Sequence, residues 1–113
     1  MTGLDDKAKM KIKVTVALCV KNSEKTVKQA VDSISSQKYP SELMELIVVD
    51  NGSIDKTLPI IKDSLSHVEI QVKIFEAKGV RLGVARQIVV DNANGDYIAW
   101  VDGDWVLPDN YLL

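Results

Sequence analysis

Two carboxylates, Asp102 and Asp104, stand on either side of Gly103 where the apolar run Tyr97-Ile98-Ala99-Trp100-Val101 ends. Aspartate is a poor strand former and costly to bury, so a pair at a strand exit needs water, turn geometry or a cation to compensate. A hard divalent ion with oxygen ligands is one such partner. The C-terminal ends of strands are also where open α/β sheets bind ligands. Asp-Gly-Asp is good turn chemistry as well, and a solvated turn is the plain alternative. Other polar residues occupy comparable points: Cys19, Lys21 and Asn22 close one apolar run, Asp50 and Asn51 close another, and Arg81 and Arg86 flank a glycine-containing loop.

The elements that must carry these residues are legible from their patterning. Val14 to Val20 is apolar except for Thr15, the pattern of a strand covered on both faces. Asn22 or Ser23 offers an N-cap to a helix whose Val27, Ala30, Val31 and Ile34 fall at helical spacing, and Tyr39-Pro40 stops it. Leu46 to Val49 predicts a second buried strand, running into Asp50-Asn51-Gly52-Ser53. Asp55 can cap the next helix, which tolerates Pro59 in its first turn and puts Leu58, Ile61 and Leu65 on one side. From Val68 to Phe75 the pattern alternates, predicting a half-exposed third strand near a sheet edge. Gly79 to Gly83 reads as a loop, after which Val84, Ile88 and Val89 give a helix its apolar stripe until Asn94-Gly95. Tyr97 to Val101 is the fourth strand. Leu107 to Leu113 resembles the opening of a further helix, and the expectation is the N-terminal part of a longer protein.

A β-α-β-α-β-α-β order without internal repeats predicts an α/β fold, a mostly parallel sheet with helices on both faces. Right-handed crossovers favour the spatial order 3-2-1-4, with the third strand at one edge. The crevice then opens between the first and fourth strands, and Cys19 to Asn22, Asp50-Asn51 and Asp102 to Asp104 are expected to point into it. Residues 1–13 form a polar N-terminal segment, and residues 14–113 a domain that is Rossmann-like but incomplete at its C-terminus.

Composition narrows the function. A chain of 113 residues buries enough surface for one core and no more. The formal net charge is -2, and no run of Lys or Arg supports a broad nucleic-acid surface. Any bound polyanion must be held locally, by a loop, a helix end or a metal. The lone Cys19 cannot form an intrachain disulfide, which fits a reducing compartment. Met1 to Lys13 is too polar for a signal peptide, and no stretch is long enough to span a bilayer, so the expectation is a cytoplasmic protein.

Val14 to Asn22 with Gln37-Lys38-Tyr39-Pro40, then Ile47 to Thr57, then Gly83 to Gln87, then Gly95 to Asp104, in this order and spacing, resemble the family 2 glycosyltransferases. The nucleotide-sugar-binding half of that family has the GT-A fold. The resemblance implies that Asp102 and Asp104 form a DxD motif. Asp104 would ligate Mg2+ or Mn2+ directly, and Asp102 would lie near the ribose and the metal-bound phosphates. A metal bridging diphosphate oxygens stabilises the leaving group as a Lewis acid. Gly103 would let the nucleotide approach the backbone. Asn51 stands where the family commonly has an acid that meets the imide edge of the base. An amide can still bind uracil, or Asn51-Gly52 simply makes a turn. Asp50 lines the same pocket or orients the loop. Cys19-Val20-Lys21-Asn22 departs from the family's Pro-x-Tyr-Asn-like segment, and Lys21 covers the base with its stem, touches a phosphate or is a surface lysine. Arg86, expected in the first turn of its helix, contacts base or diphosphate or pairs with a nearby acid. Trp100 is expected in the core and Trp105 near bound sugar, with packing under the tail as its competitor. His67 receives no role.

The implied activity is inverting transfer of a sugar from a UDP- or GDP-type nucleotide-diphospho-sugar. The general base and acceptor pocket are expected C-terminal to Leu113. The acceptor is unknown, with lipid and polysaccharide as candidates and a full-length protein at the cytoplasmic face of a membrane as the matching location. A sugar-nucleotide nucleotidyltransferase is the enzymatic alternative, but no Gly-rich phosphate loop followed by Arg and Lys comes after the first strand. A noncatalytic nucleotide-binding α/β module is the other. A receiver of that kind would group its acids after the first strand, where Cys19-Val20-Lys21-Asn22 stands instead.

Overall fold

The computed structural model describes residues 11–112. Its centre is β1 (Val14–Val20), whose apolar run is buried at most positions because sheet neighbours flank it and helices cover both faces. The partners of β1 are β2 (Met44–Asp50), buried along its whole length, and β4 (Tyr97–Asp102). The edge strand β3 (Gln71–Glu76) lies outside β2. All pairings are parallel, in the order β3-β2-β1-β4 that alternation and right-handed crossovers predict. The register sets Val20 opposite Asp50, Asp50 opposite Glu76 and Cys19 opposite Asp102. The strands therefore finish nearly level, and the loops that follow them share one rim.

Helices α1 (Val27–Ser35) and α2 (Thr57–Ser64) cover one face, where Val27, Val31, Ile34 and Ile61 pack on Val16, Leu18, Leu46 and Val48. Helix α3 (Leu82–Asn92) covers the other, with Ala85 and Val89 against Ala17, Ile47 and Val49. A single 3₁₀ turn, Ser41–Leu43, precedes β2.

Several local expectations are corrected. Neither Asn22 nor Ser23 caps α1: the helix starts at Val27, after a turn in which the Thr26 and Val27 N–H groups donate to the Ser23 carbonyl. Asn22 adopts φ 48° instead, a left-handed conformation that asparagine tolerates better than most residues. Strand β3 begins at Gln71 rather than Val68, although Ile70 before it is still buried. Helix α3 begins at Leu82 and takes Gly83 into its first turn, with Ala85 facing the sheet and Val84 49% exposed. Trp100 is not in the core. It lies on the edge strand β4 and is 37% exposed. The tail forms a turn, with the Tyr111 N–H donating to the Pro108 carbonyl, instead of a helix. Gln37 holds that turn to α1, donating from Nε2 to the Pro108 carbonyl at 2.6 Å and accepting from the Leu112 N–H at 3.1 Å. Most of the polar N-terminal segment, residues 1–10, lies outside the described residues, as does Leu113.

At the opposite end of the strands from the rim, the α3 face contains a buried carboxylate. Glu45 is fully buried, accepts hydrogen bonds from the Thr15 hydroxyl at 2.6 Å and the Asn94 N–H at 2.6 Å, and lies 3.4 Å from the Lys73 ammonium. Burial raises the pKa of this carboxyl, but the bonds from Asn94 and Thr15 and the charge of Lys73 outweigh it and hold the group below its ordinary range. Lys73 also donates to the Asn92 carbonyl at the end of α3, where a cation is favourable. Gly95 is required beside this network, since a Cβ there would stand 2.5 Å from the Thr15 nitrogen.

Candidate functional site

The rim is organised by hydrogen bonds between its own loops. The β1–α1 and β2–α2 loops are tied together through side chains and main chain. The Asn22 N–H donates to the Ser53 hydroxyl at 2.9 Å, and the Asn22 side-chain carbonyl accepts the Ile54 N–H at 2.9 Å. The Ser23 N–H donates to the Thr57 hydroxyl at 2.7 Å, and Glu24 accepts the Lys56 N–H at 3.1 Å. Asp55 accepts from both the hydroxyl and the N–H of Thr57, and these bonds, the hydroxyl first, keep its carboxyl below the ordinary range. Asp50 is 3% exposed, and its carboxylate accepts the N–H and hydroxyl of Ser53. That placement orients the loop.

The β3–α3 loop, residues 77–81, is fastened to the end of β2. The Ala77 N–H donates to the Asp50 carbonyl at 2.8 Å. Asn51 donates from Nδ2 to the Val80 carbonyl at 2.7 Å and accepts the Val80 N–H on Oδ1 at 3.1 Å. Gly52, at φ 75°, allows the close approach of Lys78, whose Cγ would lie 2.8 Å from a Cβ at that position. Between the start of α3 and the end of β1 opens a pocket of about 150 Å³, lined by Cys19, Val20, Lys21, Asn51, Leu82 and Ala85. Its volume falls below the range of pockets that enclose a whole drug-sized ligand, so it suits one part of a larger molecule.

Arg86 is the fifth residue of α3, in the second turn rather than the first. Its guanidinium lies 5.6 Å from the centre of the Trp100 ring, a cation–π distance, and among the described residues it forms no salt bridge. Burial pushes the Cys19 thiol pKa up, the positive charge of Arg86 opposes this, and the negative charge of Asp102 adds to it. Cys19, Arg86 and Asp102 thus share one electrostatic environment at the pocket's border.

Asp102 is the last residue of β4, Asp104 follows in the turn, and both are exposed outside the pocket lining. The turn closes through the Trp105 N–H, which donates to the Asp102 carbonyl at 3.1 Å. Gly103 is buried between them. Its carbonyl accepts the Thr26 hydroxyl at 2.9 Å, and a Cβ on it would lie 3.0 Å from Val20 Cγ1 and 3.2 Å from Ser23 Oγ. The protein's own packing accounts for that glycine. Trp105 is 44% exposed beside the acids. Among the described residues no three His, Cys, Asp or Glu side chains gather as a metal cage. Two exposed carboxylates are nonetheless a suitable donor set for Mg2+ or Mn2+, which takes few protein oxygens and completes its shell with phosphates and water.

The Asn51–Val80 pairing and the Arg86–Trp100 contact were not foreseen from the sequence. Each joins residues far apart in the chain through side-chain geometry, and no local pattern announces either. Among the described residues, no helix is long and apolar enough to cross a membrane.

The family model described as Glycosyl transferase family 2 matches residues 15–113. EpsE of Bacillus subtilis is 38% identical over 93 residues, covering 81% of this chain and 33% of EpsE. Poly(ribitol-phosphate) beta-N-acetylglucosaminyltransferase TarS of Staphylococcus aureus is 29% identical over 93 residues, 82% of this chain and 16% of TarS. Among solved structures, S. aureus TarS in complex with UDP superposes with a TM-score of 0.78 at 28% identity, covering 89% of this chain and 30% of that one. The mannosyltransferase PcManGT from Pyrobaculum calidifontis, in complex with GDP-Man and Mn2+, gives a TM-score of 0.78 at 25% identity over 88% of this chain and 30% of its own. The chain thus spans a third or less of these proteins.

Proposed function

The chain belongs to glycosyl transferase family 2, and from that premise we propose that it is the donor-binding part of a metal-dependent, inverting glycosyltransferase that uses a nucleotide-diphospho-sugar. The observation that carries this reading is the shared rim. A pocket at the end of β1 and two exposed carboxylates at the end of the adjacent β4 lie side by side, joined by the pairing of Cys19 with Asp102. The pocket takes the nucleobase, and Lys21 and Arg86 at its border supply positive charge toward the diphosphate. Asp104 and Asp102 hold Mg2+ or Mn2+, which supplies Lewis-acid stabilisation of the departing diphosphate. Relatives support the donor class: TarS has been solved with UDP, and PcManGT with GDP-Man and Mn2+.

The general base and the acceptor pocket belong, in this proposal, to the remainder of a longer protein. Lipid and polysaccharide are the acceptor classes we propose, with the reaction on the cytoplasmic side. Calorimetric titration of the full-length protein with UDP and GDP, with and without Mn2+, tests the reading. Metal-dependent binding that weakens at least tenfold in Asp104→Ala is expected. Binding that ignores the metal and is unchanged in that variant overturns it.

A further inference from the structure

We infer that Asn51 is a positioning residue, which latches the β3–α3 loop beside the pocket, and that it does not read the nucleobase. This rests on the donor-binding reading above and concerns how the same pocket discriminates its ligand.

Asn51 is the residue whose position in the chain suggests base recognition, since it follows β2 and lines the pocket. Both ends of its side-chain amide, however, are tied to protein. Nδ2 reaches the Val80 carbonyl at 2.7 Å and Oδ1 receives the Val80 N–H at 3.1 Å, so donor and acceptor together close a two-bond ring with one peptide segment. An asparagine side chain matches such a main-chain donor and acceptor pair, whereas an ionised aspartate has only acceptors and would face the Val80 carbonyl with like partial charge. The amide is therefore the side chain this latch requires. Its geometry is reinforced on both sides, by the Ala77 N–H on the Asp50 carbonyl at 2.8 Å and by Lys78 packed over Gly52.

The latch fixes the start of α3. The Arg81 carbonyl accepts the Val84 and Ala85 N–H groups, so a loop held at Val80 sets where Leu82 and Ala85 form the pocket wall. With one donor and one acceptor of Asn51 committed to Val80 and the amide plane fixed by them, apolar contact with Val20, Leu82 and Ala85 holds the base. Apolar walls discriminate weakly between ligands that differ in polar groups, whereas a buried hydrogen-bonding reader discriminates strongly.

The test uses the full-length protein and the variants Asn51→Asp and Asn51→Ala. Hydrogen exchange at the Val80 amide, measured without nucleotide, is expected to accelerate about tenfold in Asn51→Ala, the change for a loss of roughly 1.4 kcal/mol of local stability. Affinities for UDP and GDP with Mn2+ are expected to fall together, with their ratio shifting less than about threefold. Asn51→Asp, which keeps only the acceptor for the Val80 N–H, is expected to fall between wild type and Asn51→Ala in exchange rate. A tenfold change in the UDP to GDP ratio, or Val80 exchange unaltered by Asn51→Ala, overturns the inference. If the wild-type protein binds neither nucleotide, the donor-binding reading fails and the assignment to base discrimination falls with it. The exchange experiment then still decides the latch.

Discussion

Thr15 and Glu45 meet across β1 and β2 in a hydrogen bond of 2.6 Å, buried beneath the C-terminal end of α3. The bond belongs to a closed set, because the same Glu45 carboxylate receives Asn94 and faces Lys73, and the Thr15 hydroxyl in turn accepts the Gly95 N–H at 3.0 Å. The network joins β1, β2 and β3 to the turn that launches β4. It therefore helps to set where β4 delivers its two acids.

Replacing Glu45 with Ala leaves the buried Thr15 hydroxyl and the Asn94 N–H without their acceptor, while the half-buried Lys73 ammonium keeps the Asn92 carbonyl. A destabilisation of about 2–4 kcal/mol is expected in urea unfolding, since each buried polar group left unpaired costs about 1–3 kcal/mol. Leu at the same position is expected to cost less than Ala if the remaining polar groups repack, and more if they do not. The comparison of the two measures how much of the loss is cavity.

The pH dependence of that contribution follows from the depressed pKa of Glu45. A carboxyl with a folded pKa below its unfolded value binds fewer protons when folded, so its stabilisation is complete above the unfolded value, about 4.3, and declines as pH falls through the folded one. The stability gap between wild type and Glu45→Gln is expected to narrow as pH falls below about 4.3. A gap that stays constant as pH is lowered from there in urea titrations would contradict the assignment.

Glycine substitutions separate two kinds of close approach. Gly95→Ala sets a methyl 2.5 Å from the main-chain nitrogen of Thr15, which the sheet cannot yield, whereas Gly103→Ala meets Val20 Cγ1 at 3.0 Å and Ser23 Oγ at 3.2 Å. Gly103→Ala is expected to lose about 1 kcal/mol and Gly95→Ala about 3 kcal/mol or more, by the cost of overpacking. Equal melting temperatures for the two variants would refute the ranking.

Cys19 offers a probe of the charges around the pocket. Its raised pKa, caused first by burial, predicts alkylation at pH 7.5 slower than that of a free cysteine, because the thiolate is the reactive form. Arg86→Gln removes the opposing positive charge and is expected to slow the reaction further, and Asp102→Asn to speed it. Iodoacetamide kinetics followed by mass spectrometry check both signs.

Trp100 and Arg86 provide a further test. Trp100→Leu removes the ring beneath the guanidinium, a contact of about 0.5–1 kcal/mol at an exposed site. If Arg86 is held in place for the diphosphate, UDP affinity is expected to fall two- to fivefold in this variant, and affinity for uridine to stay unchanged. Calorimetry with the two ligands reads the difference.

What the sequence disclosed was what depends on short-range patterning. The apolar runs of β1 and β2 and the alternation before Phe75 are local signals, and with the right-handed crossover rule they suffice for the order β3-β2-β1-β4. Trp100 was expected in the core from its alternation with Ile98 in an apolar run, although the order 3-2-1-4 already sets the fourth strand at an edge, and there the ring is 37% exposed. Val84 was misassigned because the stripe of α3 that packs on the sheet is Ala85, Ile88 and Val89, at spacing i, i+3 and i+4, and the small Ala85 is a weaker apolar signal than its neighbour Val84. Glu45 gave no signal at all. A lone acid in an apolar run shows nothing of Thr15, Lys73 and Asn94, which fold in from other strands and turns. In the candidate site the acids were evident from their position after a strand, while the partners of Asn51 and Arg86 emerged only with the coordinates.

The reciprocal bonds between Asn22, Ser53 and Ile54 carry a thermodynamic consequence. Because both loops surrender their conformational freedom during folding, little remains to be lost when a ligand of the rim binds. Association can then proceed without a slow rearrangement of the backbone.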